Sequence, residues 1–167
     1  MDLATRLARE STYVAKMIEN IMVAELQRYG WVTKGNCVGV LRGEVDDSGF
    51  DLGLTCGNVT RFVQFKQSRG YTPQKKLPVH MRLAAQPSSC VVLACHNLDS
   101  SYESFSLDYY WLGSCVGKSI DLSGYKVATN PRTKQERPDV RAVPCYAFDD
   151  VDGISGLYEK LFMYRDG

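Results

Sequence analysis

The chain has 167 residues, a hydrophobic content of 44% and a charged content of 23%. These values suit one folded domain over residues 1–167 and exclude a disordered or fibrous protein. The formal net charge of +1 says little about partners, because binding to nucleic acid depends on local rather than total charge.

The sequence contains six cysteines and two histidines but no CxxC pair. Structural zinc sites usually need such a pair, so we expect no zinc and interpret the cysteines as small buried hydrophobes. The residues that follow Met1 do not resemble a signal peptide, and no apolar run reaches the length of a membrane span. We therefore expect no membrane partner, a cytoplasmic location and reduced thiols.

The first part of the chain is predicted to be helical. From about Leu3 to Tyr29, apolar residues recur every three or four positions, with a break near Ser11. Glu19 and Glu25 both fall within or beside the apolar face, and the periodicity cannot choose between them as a functional carboxylate. A Glu in such a position that has no functional role is held in an ion pair or reaches out to solvent.

Two apolar strands separated by a short turn come next. Residues 50–54 and 62–66 flank a Gly-Asn pair that favours a two-residue hairpin turn. One-to-one pairing across that turn places Asp51 opposite Gln64, and the two-residue period of a strand puts Lys66 on the same face as Gln64. These polar residues either face water at an edge hairpin or form a site, since a buried Lys needs a partner or a task. A carboxylate beside a Lys can bind a divalent cation while the ammonium stabilises charge on a phosphate.

Asp51, twelve intervening residues and then Gln64-Phe65-Lys66 resemble the active-site signature of the PD-(D/E)xK nuclease superfamily. The resemblance is to the D…QxK form found in Mrr-type restriction enzymes and related defence nucleases. The superfamily also carries an acidic residue on its first helix, and Glu19, seven residues before a Leu and eleven before a Gly, reproduces that spacing.

Two positions depart from the family pattern. Phe50 stands where the name-giving Pro is expected, and Gln64 replaces an acidic residue. The second change removes one negative charge from a metal site, so an accessory carboxylate matters more. Glu19, Glu25 and Glu44 are the candidates, and the family spacing favours Glu19.

The resemblance implies an α/β fold with a restriction-endonuclease-like core, in which helices flank a mixed central β-sheet. It also implies that Asp51 and Glu19 bind Mg²⁺ or Mn²⁺, helped by the backbone carbonyl of Phe65 and the side-chain oxygen of Gln64. Lys66 then orients the attacking water or stabilises the phosphate, and the implied reaction is hydrolysis of DNA phosphodiester bonds.

The rest of the chain supplies the other predicted elements. They are an extended segment over residues 31–41, a short helix over 79–85, a buried strand over 90–95, a second strand over 104–112 and a closing helix over 154–163. His80, within the predicted short helix, either assists proton transfer or is structural.

A cation-rich segment from residue 126 to residue 141 is predicted to be a long loop. Its cations either contact nucleic-acid phosphates or are simply solvated. They are Lys126, Arg132, Lys134, Arg137 and Arg141.

Two other functions remain open from the sequence. The first alternative to a DNA nuclease is a catalytically inactive module that binds nucleic acid or protein. The second is a nuclease that processes RNA. Because cutting both strands of DNA needs two active sites, we also expect a homodimer or a larger partner, although the sequence indicates no interface.

Overall fold

The computed structural model describes residues 2–43, 49–99, 101 and 103–165. Its helices are α1 (Leu3–Arg9), α2 (Ser11–Tyr29) and α3 (Gly153–Phe162). Its strands are β1 (Val38–Leu41), β2 (Leu52–Cys56), β3 (Val59–Arg69), β4 (Lys76–His80), β5 (Ser89–His96), β6 (Leu107–Gly113), β7 (Lys126–Thr129), β8 (Glu136–Pro144) and β9 (Asp149–Val151). Within these ranges, no helix is long and apolar enough to cross a membrane.

Two sheets organise the fold. The larger sheet has six strands in the order β1-β2-β3-β5-β6-β9, and the smaller sheet has three strands in the order β4-β8-β7. Strands β3 and β5 are parallel, whereas the other pairs are antiparallel. The prediction of an α/β fold with a mixed central sheet is therefore confirmed, and the second sheet was not predicted.

The two faces of the larger sheet are covered by different layers. Val63 and Phe65 of β3 belong to the core that packs against α2 and α3. Gln64 and Lys66 point to the opposite face, because they lie in register with Val91 and Leu93 of β5. That face packs against the smaller sheet through a second core, which includes Leu77, Val79, Val91, Leu93 and Val143. The polar residues of β3 therefore lie on the face that the second sheet covers.

The N-terminal helical region breaks at Glu10, close to the predicted position. The helix does not stop at Gly30, however, because residues Gly30–Lys34 continue as a π-helical turn. The prediction of extended chain from Trp31 is therefore wrong, and strand β1 begins only at Val38. Gly35 ends the turn with a φ of 67°, a left-handed conformation that glycine adopts readily.

The prediction of a long loop over residues 126–141 is also wrong. Strands β7 and β8 form an antiparallel hairpin whose connection is residues 130–135. Pro138 and the dense charge hid the strand pattern, because proline normally argues against a paired strand. Similarly, residues 76–80 form β4 before a short 3₁₀ helix, Met81–Ala85, takes the place of most of the predicted helix.

The remaining predicted elements are close to those observed. Strand β5 is buried along its whole length, as expected for a central strand, and α3 matches the predicted closing helix within one residue. Strand β6 begins at Leu107, later than predicted. Five of the six cysteines are buried, whereas Cys37 is exposed.

A fully buried arginine, Arg61, fixes the end of α3 to the sheet. Its guanidinium donates to the backbone carbonyls of Leu161 at 2.7 Å, Ser114 at 2.8 Å and Lys160 at 3.0 Å. Two of these carbonyls belong to the last turn of α3, where no intrahelical donor is available. Burial lowers the pKa of Arg61, and the dipoles of these carbonyls stabilise its charge.

Candidate functional site

Asp51 stands just before β2 and is tied to β3 by two hydrogen bonds. Strands β2 and β3 pair one to one from Cys56 opposite Val59 to Leu52 opposite Val63, which confirms the predicted register. Beyond that pair, the N–H of Asp51 donates to the carbonyl of Val63 at 2.8 Å. Its carboxylate Oδ2 accepts from the N–H of Phe65 at 2.6 Å. Asp51 is therefore held by Val63 and Phe65, the two neighbours of Gln64, although it lies outside the regular ladder.

The backbone of Phe65 presents its carbonyl to the same edge of β3. Even-numbered residues of β3 direct their backbone groups toward β5, as shown by the hydrogen bond from the N–H of Phe62 to the carbonyl of Ser88. Odd-numbered residues therefore direct theirs toward β2, and the N–H and carbonyl of one strand residue point the same way. Since β2 begins at Leu52, opposite Val63, the carbonyl of Phe65 lies past the end of β2, next to Asp51.

Gln64 contributes an unpaired oxygen to this edge. Its residue surface is only 5% exposed, and its Oε1 has no hydrogen-bond partner among the described residues. A buried acceptor without a partner costs about 1–3 kcal/mol, so native proteins contain few of them. The amide oxygen of Gln64 is therefore a candidate ligand atom.

Lys66 follows Gln64 on the same face and is partly buried. Burial lowers the pKa of its ammonium, and the positive charge of Arg137 lowers that pKa further, whereas the carboxylate of Asp51 raises it. The charges of Asp51 and of Arg137, on the smaller sheet, therefore act on the pKa of Lys66 in opposite directions.

Glu19 is buried on α2 and is held by two cations. Its Oε1 accepts from Lys16 Nζ at 2.8 Å and from the guanidinium of Arg42. Arg42 directly follows Leu41, which pairs with Gly53, so Glu19 lies at the Asp51 end of the sheet. Its observed contacts are those of an ion pair, one of the two readings that the sequence left open.

The other two candidates for the accessory carboxylate are Glu25 and Glu44. Glu25 accepts a hydrogen bond from the hydroxyl of Tyr109 on β6, which is separated from β2 by strands β3 and β5. Position in the fold therefore favours Glu19 over Glu25, a choice that helical periodicity could not make. Glu44 and the rest of the acidic segment 44–48 lie outside the described residues.

The structure disperses the five predicted nucleic-acid-binding cations over β7, β8 and the connection between them. Lys126 begins β7, while Arg132 and Lys134 lie in the connection between β7 and β8. Arg141, on β8, turns back to donate to the carbonyl of Pro138 at 2.7 Å. Arg137, also on β8, is the member of the set whose charge acts on Lys66.

Sequence reasoning missed Arg42 and placed His80 in a short helix, whereas the structure places it at the end of a strand. Arg42 also donates to Asn20 Oδ1 at 3.3 Å, so it links α2 to the end of β1. The signal for it was the buried Glu19, because a buried carboxylate requires a cation. His80 ends β4, with its Nδ1 4.0 Å from Asp139 Oδ2.

The oxygen donors at the end of β2 suit a hard divalent cation. Within the described ranges, no three His, Cys, Asp or Glu residues form a group that could hold a metal. The donors here are a carboxylate from Asp51, an amide oxygen from Gln64 and a backbone carbonyl from Phe65. Mg²⁺ and Mn²⁺ accept such mixed oxygen sets and keep several waters. The unpaired Oε1 of Gln64 is the feature of this structure that fits a metal best.

Comparison with known proteins does not identify the chain. No family model matches it, and neither a curated protein nor a solved structure shows significant similarity to it. The functional argument therefore depends on the residues at the end of β2 and on the sequence resemblance described above.

Proposed function

We propose that the chain is a metal-dependent nuclease of the PD-(D/E)xK type that hydrolyses DNA phosphodiester bonds. The observation that carries the proposal is the buried Oε1 of Gln64, which has no hydrogen-bond partner among the described residues, on the residue next to the one whose N–H holds the carboxylate of Asp51. In an ordinary edge hairpin both groups would face water. Here the amide oxygen of Gln64 is buried, and the carboxylate of Asp51, although exposed, is held in place by the N–H of Phe65.

The residues divide the chemistry between them. Asp51, Gln64 and the Phe65 carbonyl would hold Mg²⁺ or Mn²⁺, which when bound polarises the scissile phosphate and lowers the pKa of a water molecule. The carboxylate of Asp51 is prevented from rotating because Oδ2 accepts the Phe65 N–H. Lys66 places its ammonium where negative charge develops on the phosphate. The water oxygen bonds to phosphorus, one ester P–O bond breaks, and the departing oxygen takes up a proton.

Glu19 is the accessory carboxylate in this proposal, although two cations bind its side chain in this structure. Its Oε1 is shared by Lys16 and Arg42, so it completes the metal site only when Arg42 releases it. Arg42 sits on the segment that leads toward Asp51. Substrate phosphate is a natural competitor for that guanidinium, since arginine binds phosphate and carboxylate in the same bidentate way.

A catalytically inactive nucleic-acid-binding module is the second candidate. It is favoured by the same ion pair, because the carboxylate of Glu19 cannot bind a metal while Lys16 and Arg42 neutralise it. The residues that would bind phosphate are the same in the nuclease and in the inactive module. The two candidates therefore differ only in whether the protein cleaves its substrate.

The experiment that tests the proposal is a cleavage panel. Supercoiled plasmid, linear duplex DNA, single-stranded DNA and structured RNA are incubated with Mg²⁺, Mn²⁺ or chelator. Asp51→Asn is the active-site variant, because an amide oxygen can still accept the Phe65 N–H while the negative charge is lost. Metal-dependent cleavage of DNA that Asp51→Asn lacks supports the proposal. Preferential cleavage of RNA supports the RNA-processing alternative, and binding without cleavage of any substrate supports the inactive module.

Two further variants identify the accessory carboxylate. Glu19→Gln and Glu25→Gln each remove one negative charge from α2 and preserve shape. The proposal predicts that Glu19→Gln loses at least about tenfold in activity, whereas Glu25→Gln, whose carboxylate binds Tyr109, keeps it. The opposite order would reassign the role to Glu25.

A further inference from the structure

The hairpin of strands β7 and β8 extends beyond the rest of the smaller sheet. Strand β4 ends at His80, opposite Val140, and past that pair the two hairpin strands have only each other as partners among the described strands. Every residue from 131 to 139 is exposed. At the rise of a strand, the three steps from Val127 to Asn130 cover roughly 10 Å. Residues 129–139 therefore form an arm that stands out from the fold.

The arm lies at the end of the fold that carries Asp51. A Cβ placed on Gly49, two residues before Asp51, would lie 3.4 Å from the Cβ of His80. The segment that leads into Asp51 therefore packs directly against the end of β4. Nδ1 of His80 in turn lies 4.0 Å from Oδ2 of Asp139, at the base of the arm. Nucleic acid bound at Asp51 would thus be within reach of the arm.

The tip of the arm is held in one conformation by hydrogen bonds to Asn130. The N–H of Asn130 donates to the carbonyl of Gln135 at 2.8 Å, and its carbonyl accepts from the N–H of Lys134 at 2.9 Å. Its side-chain Oδ1 accepts from the N–H of Arg132 at 2.9 Å and from that of Thr133 at 3.2 Å. Because the tip is already ordered, binding loses little conformational entropy there.

Lys134 occupies a backbone conformation that suits other residues better. Its φ is 59°, in the left-handed region where glycine and asparagine are the usual residues. The lysine side chain is exposed at this position, as is that of Arg132 two residues earlier. A lysine where glycine would be less strained favours a role for the side chain itself.

The hairpin is the positively charged part of a nearly neutral chain. Residues 126–141 contain five cations and two acids, a formal charge of +3, whereas the whole chain carries +1. The rest of the chain is therefore negative on balance. A local excess of cations on an exposed and ordered surface favours a polyanion as its partner. Nucleic acid is the polyanion that the proposed function supplies.

We propose that the arm enters the major groove of duplex DNA bound at Asp51, with Arg132 and Lys134 at its tip. Paired strands lie about 4.8 Å apart, and the major groove, about 12 Å wide, admits such a ribbon, whereas the minor groove, about 6 Å wide, does not. The arm's length of roughly 10 Å matches a groove depth of about 8.5 Å.

The inference rests on the proposed function and deepens it, because it selects one class of substrate. Single-stranded nucleic acid has no groove for the arm to enter. Double-stranded RNA has a major groove that is too deep and narrow for protein side chains to read. Duplex DNA is therefore the substrate that the arm fits.

Binding to duplexes with different grooves tests the inference without requiring catalysis. The probes share one sequence and are ordinary duplex DNA, duplex RNA, and duplex DNA whose major groove is filled by glucosylated 5-hydroxymethylcytosine. Affinities are measured in chelator, which prevents metal-dependent cleavage. The wild type should bind ordinary DNA at least about tenfold more tightly than either of the other duplexes.

Variants of the tip identify the arm as the source of that preference. The double variant Arg132→Gln/Lys134→Gln should bind ordinary DNA at least about tenfold more weakly and should no longer distinguish it from glucosylated DNA. Lys134→Gly should have an equal or higher Tm, because glycine relieves the backbone strain, and should still bind DNA more weakly. The matched control is Arg9→Gln/Arg28→Gln, which removes two exposed helix cations and should retain the groove preference.

Cleavage of the same duplexes in Mg²⁺ and Mn²⁺ separates this inference from the proposed function. Equal binding of ordinary and glucosylated DNA by the wild type contradicts the inference, even if the protein cleaves DNA. Unchanged binding by Arg132→Gln/Lys134→Gln, or tighter binding to RNA than to DNA, contradicts it as well. Groove-dependent binding that the double variant lacks, in a protein that cleaves nothing, would reject the nuclease and support the arm.

Discussion

The carboxylate of Asp51 accepts a hydrogen bond of 2.6 Å from the backbone N–H of Phe65, past the point where the β2–β3 ladder ends. One side chain thereby replaces the strand partner that β3 lacks at that position. The same contact fixes a negative charge at the backbone of the residue that follows Gln64, whose buried amide oxygen has no partner among the described residues. The hydrogen bond that stabilises the end of β3 is therefore the one that positions the carboxylate of Asp51.

Substitution of Gln64 should separate stability from metal binding. Gln64→Leu removes a buried acceptor that has no partner among the described residues, so the metal-free protein should be unchanged or up to about 1 kcal/mol more stable. Its affinity for Mn²⁺ should fall at least tenfold. Urea unfolding and Mn²⁺ titration by calorimetry measure the two quantities.

Gln67 on the same strand provides the control for Gln64. Its Oε1 lies 2.9 Å from Nε2 of His96, so Gln67→Leu should cost about 1 kcal/mol and leave Mn²⁺ affinity unchanged. Equal loss of Mn²⁺ affinity in the two variants would show that the amide oxygen of Gln64 is not a ligand.

The register of the hairpin was predictable because its causes are local. Gly57 has a φ of 58°, as the first position of a type II′ turn requires, and the alternating pattern of β3 then fixes which side chains share a face. The parallel pairing of β3 with β5 depends on contacts between segments far apart in the chain. No local pattern in the sequence reports such contacts. The pairing of Glu19 with Arg42 is of the same kind.

Replacement of Lys66 should stabilise the protein as it abolishes activity. The pKa of Lys66 is lowered from 10.5, chiefly by burial, so at neutral pH its charge opposes folding. Lys66→Met should therefore gain about 1 kcal/mol at pH 7, or about 2–4 °C in Tm. Lys76→Met, which removes an exposed lysine of β4, should change stability by less than about 0.5 kcal/mol.

The advantage of Lys66→Met should depend on pH in a defined direction. Below the lowered pKa, Lys66 is charged in both the folded and the unfolded chain, so folding bears the full free-energy cost of burying its ammonium. Between that pKa and 10.5 the unfolded chain binds the extra proton, so the stability of the wild type rises with pH relative to the variant. Thermal unfolding at several pH values measures the difference. A difference that grows toward pH 10 would contradict the burial of this ammonium.

Arg61 should be among the most sensitive positions for stability. Arg61→Met leaves the carbonyls of Ser114, Lys160 and Leu161 without their donor, which should cost at least about 3 kcal/mol. Chemical denaturation measures the loss, and Arg28→Met, at an exposed position of α2, is the control. A loss below about 1 kcal/mol would show that water replaces the guanidinium at these carbonyls.

Nicking of supercoiled plasmid by wild type, Lys66→Met and Lys76→Met tests the central claim most directly. The three proteins are compared in Mg²⁺ and in Mn²⁺, after circular dichroism has shown that each is folded. We predict metal-dependent nicking by the wild type and by Lys76→Met, and at least a hundredfold slower nicking by Lys66→Met. Equal nicking by Lys66→Met, or no nicking by the folded wild type with either metal, would contradict a nuclease site at Asp51, Gln64 and Lys66.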